Sequence, residues 1–250
     1  MNRSPDLVPE LNAGEPLEIM INGVSALFRY CPPGTFLMGS PANEEDREED
    51  EIQREVVLTR GFWALETPVT QALWTAVVGS NPSFFSDSLA CPVETVSWFD
   101  CKEFIDRLNA DGMAPAGLKF DFPTEAEWEY ACRAGTTTAY WFGDQISELN
   151  ANFSEAFVYE TTPVKSYSPN AWGLYDMTGN VCEWLRDYYA EYPSTSTTDP
   201  TGAESGEKRS VRGGSWNFPY PYCRSACRDS EVPTDRDFNL GFRLLLRFED

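Results

Sequence analysis

Apolar positions recur along this chain in recognisably different rhythms, and each rhythm predicts its own element. From Leu17 the runs LEIMI and SALFRY alternate apolar and polar residues around Asn22-Gly23, a dipeptide suited to a two-residue turn between antiparallel strands. The spacing predicts a β-hairpin opening the fold. Between Ser97 and Asn109 the period changes. Cys101, Phe104, Ile105 and Leu108 fall at i, i+3, i+4 and i+7 behind a Ser97/Asp100 capping box, which predicts an amphipathic helix. A second capping box, Thr124 with Glu127, opens a helix through EAEWEYACRAG that Gly135 is expected to end. A shorter helix is expected over Gln71 to Val78, after Thr70.

Past Gly135 the apolar runs rarely exceed four residues, and Gly, Pro, Asn, Asp, Ser and aromatic residues dominate. That composition predicts long irregular loops hung on few strands. The pattern as a whole reads as α+β with high loop content, few short strands and two to three helices. No second core or internal repeat is visible, so residues 1–250 are expected to form a single domain, and 42% hydrophobic residues suffice for its core. Two polar stretches are expected to stay outside that core. Asn43 to Glu51 (NEEDREEDE) places seven acids around one arginine and reads as a solvated loop, without the glycine and alternate spacing of a calcium loop. Ser194 to Lys208 reads as a mobile surface loop.

Charge and residue usage then exclude whole classes of function. Forty acidic residues against nineteen basic ones give a net charge of −21, which repels phosphate backbones, so no nucleic-acid partner is expected. The chain contains no histidine, which removes the usual general base, the usual zinc ligand and every Ser-His or Cys-His pair. Its seven cysteines are odd in number, irregular in spacing and without a CxxC pair, and read as buried free thiols. No apolar run reaches 18 residues, so no membrane span is expected. The opening MNRSPDLVPELN lacks the apolar stretch of a signal peptide; were the protein displayed outside the cell, its export signal would be absent from this chain.

Several segments belong together: GTFLMGS (34–40), NPSFF (81–85), PVETVSWFD (92–100), FPTEAEWEYACRAG (122–135), WGLYDMTGNVCEW (172–184), RGGSW (212–216), RSACR (224–228) and GFRL (241–244). In that order they resemble the formylglycine-generating enzyme, or sulfatase-modifying factor, family. The resemblance implies an elaborated C-type-lectin-like fold and leaves three functions to weigh. The enzyme that names the family uses a pair of cysteines shortly after RGGS to bind copper and activate oxygen. Here RGGS is followed by Trp216, Asn217, Phe218 and Pro219, so the expected first cysteine is missing, and Cys223 and Cys227 remain. Relatives that make sulfoxides hold iron through histidines, which this chain lacks.

The third function is binding. Some relatives are variable proteins of diversity-generating retroelements, in which adenine-directed mutagenesis of asparagine codons rewrites the C-terminal part of the domain. Such substitution never yields Trp, Met, Lys, Gln or Glu. Those five types make up 44 of the 250 residues, yet Asn217 to Leu240 contains only Glu231, where about four would be expected in proportion. Asn217, Phe218, Tyr220, Tyr222, Cys227, Asp229, Ser230, Thr234, Asp235, Asp237, Phe238 and Asn239 are all reachable types lying between fixed landmarks. Together with Trp216 they are the candidate ligand-binding residues, in a variable segment spanning 216–240. Rings at 216, 218, 220 and 222 would project to one side of an extended chain, and rings beside small polar side chains suit a binding surface. The alternative is that the rings fill a loop-covered core. The resemblance thus favours a non-enzymatic binder of a protein or cell-surface ligand of variable identity, extracellular or on the cell surface if displayed, with a copper-dependent oxidase acting on a polypeptide cysteine as the alternative.

The resemblance also implies a structural calcium ion held by the segment GLYDMTGNVCEW, through Asp176, Gly179, Val181 and Glu183. Two carboxylates flanking a Gly-Asn turn suit a hard cation. Against this stands the reading in which Asp176 caps a turn and Glu183 pairs with a buried arginine such as Arg212 or Arg243.

Overall fold

The Asn22-Gly23 turn folds as its residue types require. In the computed structural model, which describes residues 11–193 and 195–249, strands β1 (Pro16–Ile21) and β2 (Val24–Cys31) pair antiparallel with Ile21 opposite Val24. Both turn residues have positive φ, 48° and 88°, as the tight primed turns demand. The hairpin forms one edge of a five-stranded sheet of order β1-β2-β5-β12-β6, where β5 is Phe62–Leu65, β6 Leu118–Asp121 and β12 Leu245–Phe248. The last strand of the chain therefore lies between elements from its first half. The opening segment 1–10, and Ser194 of the polar stretch, fall outside the described residues.

The three expected helices are present. Helix α1 (Gln71–Val78) is capped by Thr70 and stopped by Gly79 at φ 88°. Helix α2 (Trp98–Ala110) carries the Ser97/Asp100 capping box. Its apolar face packs on the sheet, with Trp74 and Phe104 stacked at 5.1 Å and Phe104 edge-on to Phe242 at 5.5 Å. Helix α3 (Glu125–Arg133) carries the Thr124/Glu127 box, but Ala134, not Gly135, takes the left-handed cap. All nine residues of α3 are buried, three glutamates included. Glutamates are tolerated in an interior only when paired, and apart from Arg133 of the same helix, which binds Glu129 at 2.8 Å, the arginines that pair with them come from elsewhere in the chain.

Two further sheets complete the fold. One has the order β10-β9-β7-β11, from β7 (Cys182–Tyr188), β9 (Arg209–Arg212), β10 (Asp229–Glu231) and β11 (Leu240–Phe242). The other joins β3 (Gly34–Met38), β4 (Arg54–Leu58) and β8 (Thr197–Thr198). The α+β class holds, and the strands are short. They number twelve among the described residues, more than the few expected, because strands of two to four residues pair with partners distant in sequence and leave no periodicity of their own.

Both polar stretches are also more structured than expected. The stretch 194–208 contributes β8, which pairs parallel with β4, and Asp199, which accepts from the Thr59 amide at 2.8 Å. In the acidic run Glu51 is fully buried, and its carboxylate accepts from Arg224 Nη1 at 2.8 Å and Nη2 at 2.6 Å. Glu44 accepts from the same guanidinium at 2.7 Å. Asp50 accepts from the Tyr189 hydroxyl. The run is held because the arginines of a distant motif need counter-charges.

Candidate functional site

Three buried arginines fix the frame of the C-terminal segment. Arg212, at the end of β9, binds Glu129 at 2.6 Å and Glu125 at 3.1 Å, both on α3, and its Nη1 donates to the carbonyls of Ser225 and Cys227. Arg228 meets Glu125 through Nε at 2.7 Å and Nη2 at 3.1 Å. Arg224 is taken up by the acidic run. Burial alone would raise the Glu125 carboxyl, yet Arg228 and Arg212 hold it down at about 2. The segment 224–228 is thereby clamped between α3 and the run 44–51, and every residue of it is buried.

The turn that follows Arg212 brings the next stretch against this frame. Gly214 has φ 66°, and a Cβ there would meet Cys223 Sγ at 2.5 Å and the Tyr222 carbonyl at 2.9 Å. Only glycine admits so close an approach. The chain from 216 does not run extended: Tyr220–Cys223 is a 3₁₀ helix after Pro219, so the four rings do not share one side. Trp216 packs edge-on to Phe85 at 5.4 Å and donates through Nε1 to the Phe238 carbonyl at 3.3 Å. Phe218 is half-buried against the main core and meets Tyr222 at 5.8 Å. Tyr220 and Tyr222 remain 43% exposed.

The expected binding residues therefore divide. Asn217, Phe218, Asp229, Asp235, Asp237 and Asn239 gather around one pocket of about 330 Å³. Asn239 is 8% exposed, and its amide donates to Asn217 Oδ1 at 2.9 Å; it positions Asn217 and does not face outward. Thr234, Asp235, Asp237 and Phe238 are exposed, and Ser230 is half-buried in β10. Cys227, 4% exposed, lies inside the clamped segment and does not reach the surface. Burial pushes the carboxyls of Asp229 and Glu231 up, and for Glu231 the neighbouring Asp229 charge adds to this.

Sequence reasoning missed part of this surface. Phe84, 70% exposed, and Phe85 close an aromatic cluster with Trp216 and Phe238, at 6.0 Å for Phe84 to Phe238. The signal was the tandem phenylalanine of NPSFF. Phe157 and Tyr159 are also largely exposed, and both have positive φ, 58° and 64°, a strained conformation for aromatic residues.

In the structure the side chains assigned to calcium are engaged by donors of the protein itself. Glu183 is fully buried and both its oxygens are engaged, by Arg243 Nε and Nη2 and by Trp128 Nε1 at 2.7 Å. Asp176 accepts from the Lys165 amide at 3.0 Å and from Asn180 Nδ2 at 3.3 Å. Gly179 is committed to a backbone approach, its would-be Cβ only 2.1 Å from the Asn152 carbonyl oxygen, and Val181 is buried. The Glu183–Arg243 pairing weighed in the sequence is the arrangement observed. Among the described residues no three His, Cys, Asp or Glu side chains come together as metal ligands.

The cysteines are all seven buried and free. Cys223 and Cys227 are 1% and 4% exposed; burial pushes both thiols up, Cys227 to about 12.

The model of the sulfatase-modifying factor enzyme 1-like domain matches residues 28–248. The chain belongs to this family. Its curated relatives include the formylglycine-generating enzymes of Streptomyces coelicolor, 38% identical over 61% of this chain and 51% of the relative, and of Mus musculus, 33% identical over 70% of this chain and 49% of the relative. The chain spans about half the length of these curated relatives. Among solved structures, Treponema denticola variable protein 1 superposes with a TM-score of 0.83 at 28% identity, covering 93% of this chain and 99% of that one. PvdO from Pseudomonas aeruginosa superposes at 0.81 with 26% identity, covering 95% and 100%. The fold is the C-type-lectin-like one of this family, close to that of a variable protein. No helix among the described residues is long and apolar enough to cross a membrane.

Proposed function

We propose that this family member is a non-enzymatic ligand-binding protein whose C-terminal surface, within 216–240, is diversified by a diversity-generating retroelement, with a protein or cell-surface ligand. One observation carries the reading. The exposed residues of that segment, among them Tyr220, Tyr222, Thr234, Asp235, Asp237 and Phe238, are all of types reachable from asparagine codons, while the arginines that clamp the segment lie beneath them. A framework held from below with side chains displayed above it is the division that a diversified binder needs. The likeness to Treponema denticola variable protein 1 supports the same reading. The test lies in DNA: a nearly identical repeat near the gene, differing only where adenines stand in the copy, is expected. Its absence, together with invariance of these positions among alleles, would remove diversification.

The formylglycine-generating relatives favour a second reading, oxidation of a polypeptide cysteine. The buried thiols of Cys223 and Cys227 count against it. Incubation with copper, oxygen and a Cys-x-Pro-x-Arg peptide is expected to leave the peptide thiol intact. Aldehyde formation would establish the oxidase in place of the binder.

A further inference from the structure

The aromatic stretch after RGGS separates two cavities, and both are lined by carboxylates. On one side Phe218 and Asn217 wall the pocket of about 330 Å³, into which Asp229, Glu231, Asp235 and Asp237 also face. On the other side Tyr220 walls a larger cavity of about 730 Å³, lined by Glu45, Asp46, Asp144, Glu148 and Glu155 and by the rings of Tyr140 and Phe153. Each cavity has a single arginine among its described lining residues, and each arginine is already neutralised. Arg236 forms two bonds to Asp100, at 2.7 and 2.9 Å. Arg224 is shared by Glu44 and Glu51. Lys208 also lies near Asp229 and Glu231, its ammonium donating to the Ser230 carbonyl at 3.3 Å, and its single charge offsets part of theirs.

The other contacts that these acids make are to neutral donors. Asp144 accepts from the Ala139 amide, Glu155 from the Ser154 hydroxyl and Asp229 from the Ser230 amide. Such bonds orient a carboxylate and leave its charge in place. Both cavities therefore hold an excess of negative charge in partly enclosed, ring-walled space, where its field is less screened than on open surface. The exposed rings of the segment, Tyr220, Tyr222 and Phe238, offer faces for aliphatic stems and for cation–π contact.

We infer that the ligand of this surface is a basic polypeptide segment, which lays lysine or arginine side chains into the two carboxylate-lined cavities while its backbone crosses the aromatic stretch. A polypeptide fits because cations are wanted on both sides of an apolar ridge, and chain-borne lysines and arginines bring cation and apolar stem together. The inference rests on the reading of 216–240 as a displayed binding surface and adds the chemistry of its partner.

The experiment uses the whole chain and three probes: a synthetic Lys/Arg-rich peptide containing an aromatic residue, the same peptide with glutamates for its basic residues, and spermine. Binding is followed by titration calorimetry at low and high salt. The basic peptide is expected to bind, to weaken as salt rises, and to outbind spermine. The acidic peptide is expected not to bind. Glu231→Gln with Asp235→Asn in the smaller cavity, and Glu45→Gln with Glu148→Gln in the larger, are each expected to weaken the basic peptide about three- to tenfold, with melting curves confirming that the variants fold. The inference is overturned if the basic peptide does not bind, if both peptides bind alike, if spermine binds as tightly as the basic peptide, or if both double variants bind as the unaltered chain does. A genomic repeat with adenine-confined differences beside a failed titration would leave diversification standing and remove only the basic ligand.

Discussion

Residues 224–228 and the residues on either side of them belong to one short stretch of chain, yet they live in opposite environments. The RSACR segment is buried throughout and held by charge: Arg224 by Glu44 and Glu51, Arg228 by Glu125, and its carbonyls by Arg212. The flanks 217–222 and 229–238 carry the exposed side chains of the segment, while their backbone is tied down by the β10–β9 pairing and by bonds from Thr95, Trp98, Tyr140 and Ser154. Buried ion pairs are a poor way to gain stability but an exacting way to fix geometry, because a partner removed leaves a charge stranded. The clamp thus specifies where the segment sits, and the flanks inherit that position without having to maintain it. Fold and binding chemistry are separated within about two dozen residues.

Removing the clamp is expected to have the largest effect. Arg212→Ala takes from Glu125 and from Glu129 one of the two guanidinium partners that each has, leaving Arg228 and Arg133, and releases the carbonyls of Ser225 and Cys227. A loss of about 3–5 kcal/mol is expected in denaturant unfolding. A loss below about 1 kcal/mol would show that the segment holds its place without the arginines, and the contrast with the flanks would vanish.

A second break point lies at Glu183. With Arg243 as its partner, Glu183→Gln strands a buried guanidinium and is expected to lower stability by about 3 kcal/mol, by the same amount in calcium and in chelator. If chelator instead brings the unaltered chain down to the level of the variant, a bound cation and not Arg243 carries the site.

The clamp also has a pH signature. Burial, and then the neighbouring Glu125 charge, pushes the Asp187 carboxyl up to about 7. A carboxyl whose folded value lies above its unfolded one binds a proton more readily when folded. Its contribution is therefore present at low pH and is lost as pH rises from about 4 to about 7. Asp187→Asn removes that loss and can still accept from the Glu125 amide. The variant is expected to gain about 1–2 kcal/mol over the unaltered chain at pH 8 and little at pH 4. Equal differences at both pH values would show that Asp187 is solvated.

The same contrast decides how much the sequence revealed. The hairpin, the helices and both capping boxes were legible because each is set by residues within a few positions of one another. The resemblance to the family followed from motifs in order. The display of Tyr220, Asp235 and Phe238 was legible from residue types. What stayed hidden depends on partners far along the chain. Nothing local in NEEDREEDE says that Glu44 and Glu51 are the counter-charges of an arginine more than 170 positions away. The strands β8 to β11 are too short to show a period. Alternation of rings over 216–222 pointed to an extended chain, but Pro219 and Pro221 lie where the backbone tightens into a 3₁₀ helix, and that turn sends successive rings to different neighbours.

The smallest effect is expected on the flanks themselves, and it tests the comparison from its other side. Tyr220, Tyr222, Thr234, Asp235 and Phe238 are exposed, and none provides a cap or a counter-charge to the clamp. Replacing all five together, the aromatic residues and Thr234 by serine and Asp235 by asparagine, is expected to cost about 0.5 kcal/mol per site or less. Phe218 is left in place because it packs on the main core. The variant should unfold in one cooperative transition with an unchanged denaturant slope, since the buried area that sets the slope is untouched. A broadened transition, or a loss as large as that of Arg212→Ala, would mean that these rings hold the loops together, and the surface would then be a core exposed at its edge.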